Sequence, residues 1–401
     1  MKASCDITAA CPVKEIRTDS KTARLAAQKL APEPGSRLIE GFNQIREILC
    51  NSPVVQSGVE VAPVEKEDPT KASLFFLEGE AHRRRRAAIV RFFSPQQIAT
   101  RHMRVMERNT EMLLAEFRQK GRAQLDEVSL RLAVAVAAEI IGLTNSNIKG
   151  MAKRIAGAFD GAMIASSGRL GKLVAPLVAG LNALVVYYFD VRPAIAARRV
   201  QRQEDVISRL LDEGRSDKEI LVECITFGLA GMTTTREFIV VAAWHLLEND
   251  ELRRRFLDGD DDERNAILME ILRLEPVASM IYRSTTDDVT GVTPEPIPAG
   301  TRLSLYIRAA NLDEAAVGAC PLRLDPDRAK RFKIHGTYMS FGSGAHLCPG
   351  RNVAIAETRV FLNKLLRVPG VRLVRPPDIR FLPPLLGSYE LRNAMIACDP
   401  R

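Results

Sequence analysis

The residues with the clearest capacity for chemistry lie in the segment Phe341-Gly342-Ser343-Gly344-Ala345-His346-Leu347-Cys348-Pro349-Gly350. Gly342 and Gly344 let the backbone turn tightly and approach a flat ligand. Pro349 suits the first position of a helix, which puts Cys348 at or beside the cap. The helical pattern then runs through Val353, Ala356, Val360 and Leu365 and stops before Pro369-Gly370. A thiol at a helix N-terminus meets free N–H groups and the positive end of the dipole. Both lower its pKa and favour thiolate, the form that ligates a metal. A lone cysteine is more often a small buried hydrophobe, so its neighbours must decide.

Three other groups have suggestive spacing. His82 and Arg86, in the run His82-Arg83-Arg84-Arg85-Arg86, stand at i and i+4 on one helix face. They can take carboxylates, Arg by bidentate hydrogen bonds. Alone, the run reads as a solvated face or a nucleic-acid patch. Glu270 and Arg273, at i and i+3, can pair on one face, though such pairs usually lie on the surface. Ala230-Gly231-Met232-Thr233-Thr234-Thr235 sets three hydroxyls after a glycine. A threonine in a helix often only bonds back to the preceding turn.

The elements that must position these groups are mostly helices. Ser94-Pro95 opens one, with Pro in its first turn. Ser216-Asp217-Lys218-Glu219 is a capping box. The pattern after it, Ile220 to about Leu247, is apolar on several faces and belongs in the core. Gly228 and Gly231 interrupt it, as a bulge or a close approach would require. Asp258 to Glu263 is acidic and reads as a solvated turn capping the next helix, or else as a cation site. The helix over 263–274 ends before Pro276. Residues 277–307 and 371–398 read as strands and turns. Asp190 to Arg209 reads as a polar connector passing into another helix. Leu173 to Phe189 is the most apolar stretch, but Pro176, Gly180 and Asn182 break it, and it falls short of the roughly 20 residues a membrane span needs. It reads as buried or pocket-facing helix and as a candidate lid.

Composition narrows the classes. With 401 residues, 46% hydrophobic and 26% charged, the chain can bury a large core. The net charge of +8 is mild, and aromatic residues are 5%, too few for single-strand stacking platforms. The seven cysteines (Cys5, Cys11, Cys50, Cys224, Cys320, Cys348 and Cys398) are odd in number and form no CxxC pair. That excludes a disulfide framework or zinc ribbon and suits a reducing compartment. The N-terminus lacks the apolar region of a signal peptide.

The segment around Cys348 resembles the haem-ligand signature of the cytochrome P450 family, F-G-x-G-x-H-x-C-x-G, without mismatch. Other matches follow in the family's order, over most of the chain from about residue 38. Glu270-Ile271-Leu272-Arg273 resembles its E-x-x-R helix, and Arg328 in Asp325-Pro326-Asp327-Arg328 is the candidate third member of the triad. His82 and Arg86 resemble its C-helix pair. Ala230 to Thr235 resembles its oxygen-binding motif.

The resemblance implies a mainly α fold with small β sheets, haem lying between a long central helix and the Cys-ligand loop. It implies one domain over 1–401, with 1–30 irregular. Cys348 would be the metal ligand of haem b, bordered by Phe341, Gly342, Gly344, Ala230 and Gly231. His82, Arg86, Arg283 and His346 would hold the propionates, and Glu270, Arg273 and Arg328 would brace the ligand loop. Thr234 would help hold dioxygen and deliver protons. Thr233 stands where the family carries an acid, which puts the usual proton relay in doubt; Glu237, one turn on, is a possible substitute or a surface salt bridge. Asn311-Leu312-Asp313 replaces the more usual Asn-Arg-Asp. Phe227, Met232, Val277, Met280 and Leu386 are candidate pocket walls and lean towards a terpenoid-, steroid- or fatty-type substrate.

The implied activity is monooxygenation of an apolar small molecule, with electrons from NAD(P)H through a reductase and a ferredoxin. The implied molecule is a cytoplasmic monomer without membrane anchor or nucleic-acid partner. Two alternatives remain. One is a haem-thiolate enzyme of other chemistry, such as oxidative coupling, desaturation, rearrangement or peroxide-driven turnover. The other is a haem sensor or carrier without catalysis.

Overall fold

Helices carry most of the chain in the computed structural model, which describes residues 18–23, 25, 30–57, 72–155, 169–334, 336–382 and 387–399. The principal ones are α1 (Phe42–Asn51), α2 (Gly79–Val90), α3 (Met103–Lys120), α4 (Leu125–Ile141), α5 (Arg169–Val186), α6 (Arg192–Val200), α7 (Val206–Asp212), α8 (Asp217–Phe227), α9 (Thr234–Glu248), α10 (Asp250–Asp258), α11 (Asp261–Leu274) and α12 (Arg351–Leu365). The strands are short: β1 (Arg37–Ile39), β2 (Val54–Gln56), β3 (Arg122–Gln124), β4 (Ile281–Thr285), β5 (Arg302–Leu305), β6 (Arg372–Arg375), β7 (Asp378–Phe381), β8 (Tyr389–Arg392) and β9 (Met395–Ala397). They form sheets of order β1-β5-β4-β2, β3-β9-β6 and β7-β8. The expected mainly α architecture with small sheets is present. The N-terminal strands β1 to β3 had no sequence signal, because three residues are too few to show alternation.

The central rod forms as its pattern requires. Ser216 Oγ accepts from the Glu219 N–H and the Glu219 carboxylate accepts from the Ser216 N–H, closing the capping box. α8 then passes through a wider π turn, Gly228–Thr233, into α9. That turn is the bulge the two glycines predict. In α9 the consecutive residues Phe238, Ile239, Val240, Val241, Ala242 and Ala243 are all buried. A helix apolar on every face can only be a central one. α4 and α12 pack against it. A second core of Ile39, Ile45, Ile48, Leu303 and Leu305 lies where α1 meets the mixed sheet.

Two readings are corrected. The 190–209 stretch is not a connector: α6 and α7 occupy it, and its charges are used internally, as in Arg198 to Asp205 and Arg154 to Asp190. The apolar stretch at 173–189 is helical but not buried. Leu177 is 66% exposed, Leu181 54%, Leu184 52% and Tyr188 55%, at the spacing of one helix face. Hydropathy reports what a side chain would bury, not whether a neighbour is present to bury it. The helical run Val174–Val200 is also long and apolar enough by length and composition to cross a membrane.

Near the end of α11 the buried Glu275 carboxylate gathers the chain's early residues. It accepts from the Ser20 hydroxyl (2.9 Å), from Thr22 and from the Lys21 N–H, and meets His245 Nε2 at 3.1 Å and Arg308 at 3.7 Å. Burial pushes its pKa up, but His245, Arg308 and Thr22 outweigh that and hold it down at about 2. A depressed carboxyl contributes stability that is complete above its unfolded value and lost as pH falls through the folded one. The stability advantage of the wild type over Glu275→Gln in urea denaturation is therefore expected in full at pH 6. It should shrink from about pH 4.5 downwards; a constant gap across that range would refute the assignment.

Candidate functional site

Cys348 ends a loop that its own backbone closes. The Cys348 N–H donates to the Phe341 carbonyl (2.9 Å), the Leu347 N–H to that of Gly344 (3.1 Å) and the Gly342 N–H to that of Met339 (2.9 Å). Gly342 and Gly344 have φ of +72° and +68°, where a side chain is strained. A Cβ on Gly344 would stand 2.0 Å from the Leu49 carbonyl oxygen, so the loop seats on the end of α1 only as glycine.

α12 starts at Arg351 with Gly350 as cap, two residues later than Pro349 predicts. Burial pushes the Cys348 thiol above its ordinary value, while the Gly350 and Arg351 N–H groups and the Arg86 guanidinium pull the other way. This corrects the expectation of a lowered value. The donors are present, but desolvation of the thiolate outweighs them, and a cation at the sulfur would be needed to reverse the balance.

The loop is braced from below. Arg273 on α11 grips Glu270 with two hydrogen bonds (2.9 and 2.7 Å), and Arg328 Nε reaches the same carboxylate at 3.1 Å. All three side chains are buried. Tyr338, missed in the sequence, donates its hydroxyl to Glu270 (3.2 Å), and the Met339 N–H donates to Asn311 Oδ1 (2.9 Å). The Ser340 hydroxyl donates to the Leu272 carbonyl (2.9 Å). The three residues leading into Phe341 are thus each tied to α11 or to Asn311. The first residue of the atypical Asn-Leu-Asp triplet is one of the anchors.

Basic groups collect at one end of the cavity above Cys348. His82, Arg86 and His346 line it together with Gln56. His82 and His346 stack with centroids 4.2 Å apart. His346 Nε2 lies 3.1 Å from Glu78, and Arg86 donates to the Leu347 carbonyl. Arg283 is buried, with Gln56 Oε1 and the Tyr282 carbonyl as its hydrogen-bond acceptors. Burial pulls it down to about 10. His82 Nε2 is buried without a partner. Burial, with His346 and Arg86 adding repulsion, takes that imidazole down to about 4. Four basic side chains thus face one carboxylate, Glu78. This imbalance and the orphaned nitrogen suit a ligand bearing two carboxylates. Glu78 precedes His82 by one turn, a spacing that could have revealed it.

The opposite wall comes from the π turn. Phe227, Ala230 and Gly231 line the cavity, and a Cβ on Gly231 would meet nothing within 4 Å. The hydroxyl pattern differs from expectation. Thr233 is buried and donates to the Leu229 carbonyl (2.6 Å); Thr234 is exposed and donates to the Ala230 carbonyl (2.5 Å). Thr235 lines the cavity instead. Glu237 is no surface salt bridge. It is buried among Arg236, Arg392 and the Leu391 N–H and has no freedom to serve the cavity. Of the proposed pocket walls among the described residues, only Phe227 borders this space. Met232, Val277 and Met280 are core side chains, 0%, 7% and 2% exposed, and Leu386 lies outside the described residues.

The family model for cytochrome P450 matches residues 264–378, the span holding the triad, the ligand loop and α12. Over that span the chain is similar to the cytochrome P450 family. Among curated relatives, the erythromycin C-12 hydroxylase of Saccharopolyspora erythraea is 27% identical over 362 residues, covering 82% of this chain and 84% of its own. The steroid C26-monooxygenase of Mycobacterium tuberculosis is 28% identical over 227 residues, 55% of this chain and 59% of its own. A cytochrome P450 solved with an acyl carrier protein bearing hexadec-9Z-enoic acid superposes with a TM-score of 0.75 at 22% identity, covering 90% of this chain and 92% of that one. One from Bacillus megaterium, solved with corticosterone, gives 0.73 at 21%, covering 94% and 97%. Both share the fold.

The named relatives are oxidoreductases, and the family that the model describes uses haem and dioxygen. The Glu270 brace makes a sharp prediction. Glu270→Gln keeps the shape but leaves Arg273 and Arg328 without their shared anion. Breaking such a buried pair costs about 3–5 kcal/mol, to be read as a loss of that size in denaturant unfolding. A change below about 1 kcal/mol, typical of a surface pair, would contradict the brace.

Proposed function

We propose that this cytochrome P450 is a haem-thiolate monooxygenase of an apolar small molecule, with Cys348 as the ligand of haem b. The observation that carries this reading is the shared cavity: Cys348 borders it on one side and the glycine-bearing π turn on another, with a basic, under-partnered cluster at its end. His82, Arg86, Arg283 and His346 would hold the two propionates, and Gly231 leaves room for the ring. When bound, haem supplies the oxidising chemistry with dioxygen. The protein excludes water and orients the substrate: Leu74, Phe93, Val136, Ile140 and Phe227 present hydrocarbon to the cavity. That lining favours a terpenoid-, steroid- or fatty-type substrate, in keeping with the steroid in the name of one relative.

Electrons come from NAD(P)H through a reductase and an acidic ferredoxin in this reading. The exposed Arg83 and Arg84 on α2 offer a docking charge on the helix that also carries His82 and Arg86. We take the chain as one domain, a monomer and cytoplasmic. The free thiols of Cys50, Cys224, Cys348 and Cys398 suit a reducing compartment. A second reading, coupling, desaturation or peroxide-driven chemistry, is favoured by one observation: Thr233 turns its hydroxyl to a helix carbonyl where an acid would serve the relay.

The deciding measurement is the absorption spectrum of the reduced protein under carbon monoxide. The strongly red-shifted Soret band of thiolate ligation is expected for the wild type and should be lost in Cys348→Ser. A haem band unshifted in the wild type would overturn the proposal. Turnover with peroxide but not with NAD(P)H and redox partners would favour the second reading.

A further inference from the structure

One surface of the molecule takes no part in the site. The exposed residues of α5 and of the π turn after it, Tyr187–Val191, form a stripe that starts at Val174. It runs through Leu177, Leu181, Leu184 and Val185 to Tyr188 and Phe189, positions that helical periodicity brings to one side. At their exposures these side chains present on the order of 700 Å² together, whereas the largest apolar patch on a typical monomer is about 300–600 Å². No charged residue occurs from Leu173 to Phe189. Among the exposed side chains of Val174 to Phe189, the Tyr188 hydroxyl is the one polar group.

Charge begins where the aromatic pair ends. Arg192, at the start of α6, is exposed and lies over the Tyr188 ring at 5.6 Å, with no carboxylate partner among the described residues. The acids nearby are taken. Asp190 is buried against Arg154 and Ser146, Asp217 accepts from Arg199 and from the Tyr187 hydroxyl, and Asp212 accepts from Arg202. The order along the helical run is therefore hydrocarbon, then aromatic, then base.

We propose that this ridge docks the protein on the surface of an anionic lipid bilayer. The order matches the depth profile of a membrane interface. The aliphatic ridge enters the acyl boundary, Tyr188 and Phe189 stand at the headgroups, and Arg192 reaches the lipid phosphates. A protein partner fits less well. Protein interfaces carry about one hydrogen bond per 100–200 Å², and this face offers a single hydroxyl, whereas a fluid hydrocarbon phase asks for none. The contact is peripheral, not a span. Val191, Ala194 and Ile195 on the same helical run are buried in the core, and the bonds of Asp190 and Tyr187 fasten it there. The inference stands apart from the haem-thiolate reading.

The test is vesicle sedimentation of the full-length protein, with phosphatidylcholine alone and with an equimolar mixture of phosphatidylcholine and phosphatidylglycerol. The wild type should bind the mixed vesicles more tightly than the neutral ones, and high salt should remove that preference. Leu177→Gln with Leu181→Gln should lower affinity for the mixed vesicles at least about tenfold. Arg192→Gln should weaken binding to the mixed vesicles and leave binding to phosphatidylcholine unchanged. It lies outside the apolar ridge, so it gives an independent reading if the double variant folds poorly. All three positions are exposed, and the variants should keep the wild-type denaturation midpoint. No wild-type binding to the mixed vesicles, no preference for them over phosphatidylcholine, or an unchanged affinity in the double variant overturns the proposal. A wild-type dimer in sedimentation velocity that the double variant abolishes, without vesicle binding, would give the face to a second copy of the chain instead.

Discussion

The Glu270 carboxylate, buried and shared by two guanidiniums, is the interaction on which the site's geometry depends. Arg273 and Arg328 do more than neutralise it: their remaining N–H groups donate to the carbonyls of Asn311, Pro321, Arg323, Val317, Ala319 and Cys320. A long irregular stretch between β5 and the ligand loop is thereby organised around one anion. Irregular backbone can be buried only where its polar groups find partners, and here arginines provide them. Tyr338 and Asn311 then extend this order to the residue before Phe341.

The cavity is the electrostatic inverse of that brace. Around Glu270 every charge is answered, whereas around His82 and Arg283 the basic groups are answered mainly by neutral oxygens. Buried arginines satisfied so fully in one place, beside basic groups short of anions in another, support the ligand site proposed for the second place. The Cys348 thiol fits the same pattern. The protein desolvates it and surrounds it with donors, and a cation at the sulfur would make the thiolate the stable form.

What could be read in the sequence was whatever depends on short spacing. The capping box, the two-glycine bulge, the E-x-x-R pair and the ligand loop are local patterns, and each formed. What escaped depends on partners remote in the chain. Tyr338 and Asn311 reach α11 or the ligand loop from segments of no regular structure. Glu237 looked like a surface group because Arg392 and the Leu391 N–H are more than 150 residues away. The thiol's displacement was misjudged because helix ends are local and burial is not. Met232, Val277 and Met280 are apolar, as both wall and core residues are, and only packing distinguishes the two.

The π turn has a consequence for numbering along the central rod. A single helical wheel drawn from Asp217 to Glu248 assumes 3.6 residues per turn throughout. The wider turn takes up one extra residue, so every position after Thr233 lags the wheel by roughly one step, on the order of 100°. Faces continuous on paper part company at the turn: the side that starts at Phe227 and Gly231 continues at Thr235 rather than Thr234. Roles transferred across this rod by counting are therefore out of phase on its far side.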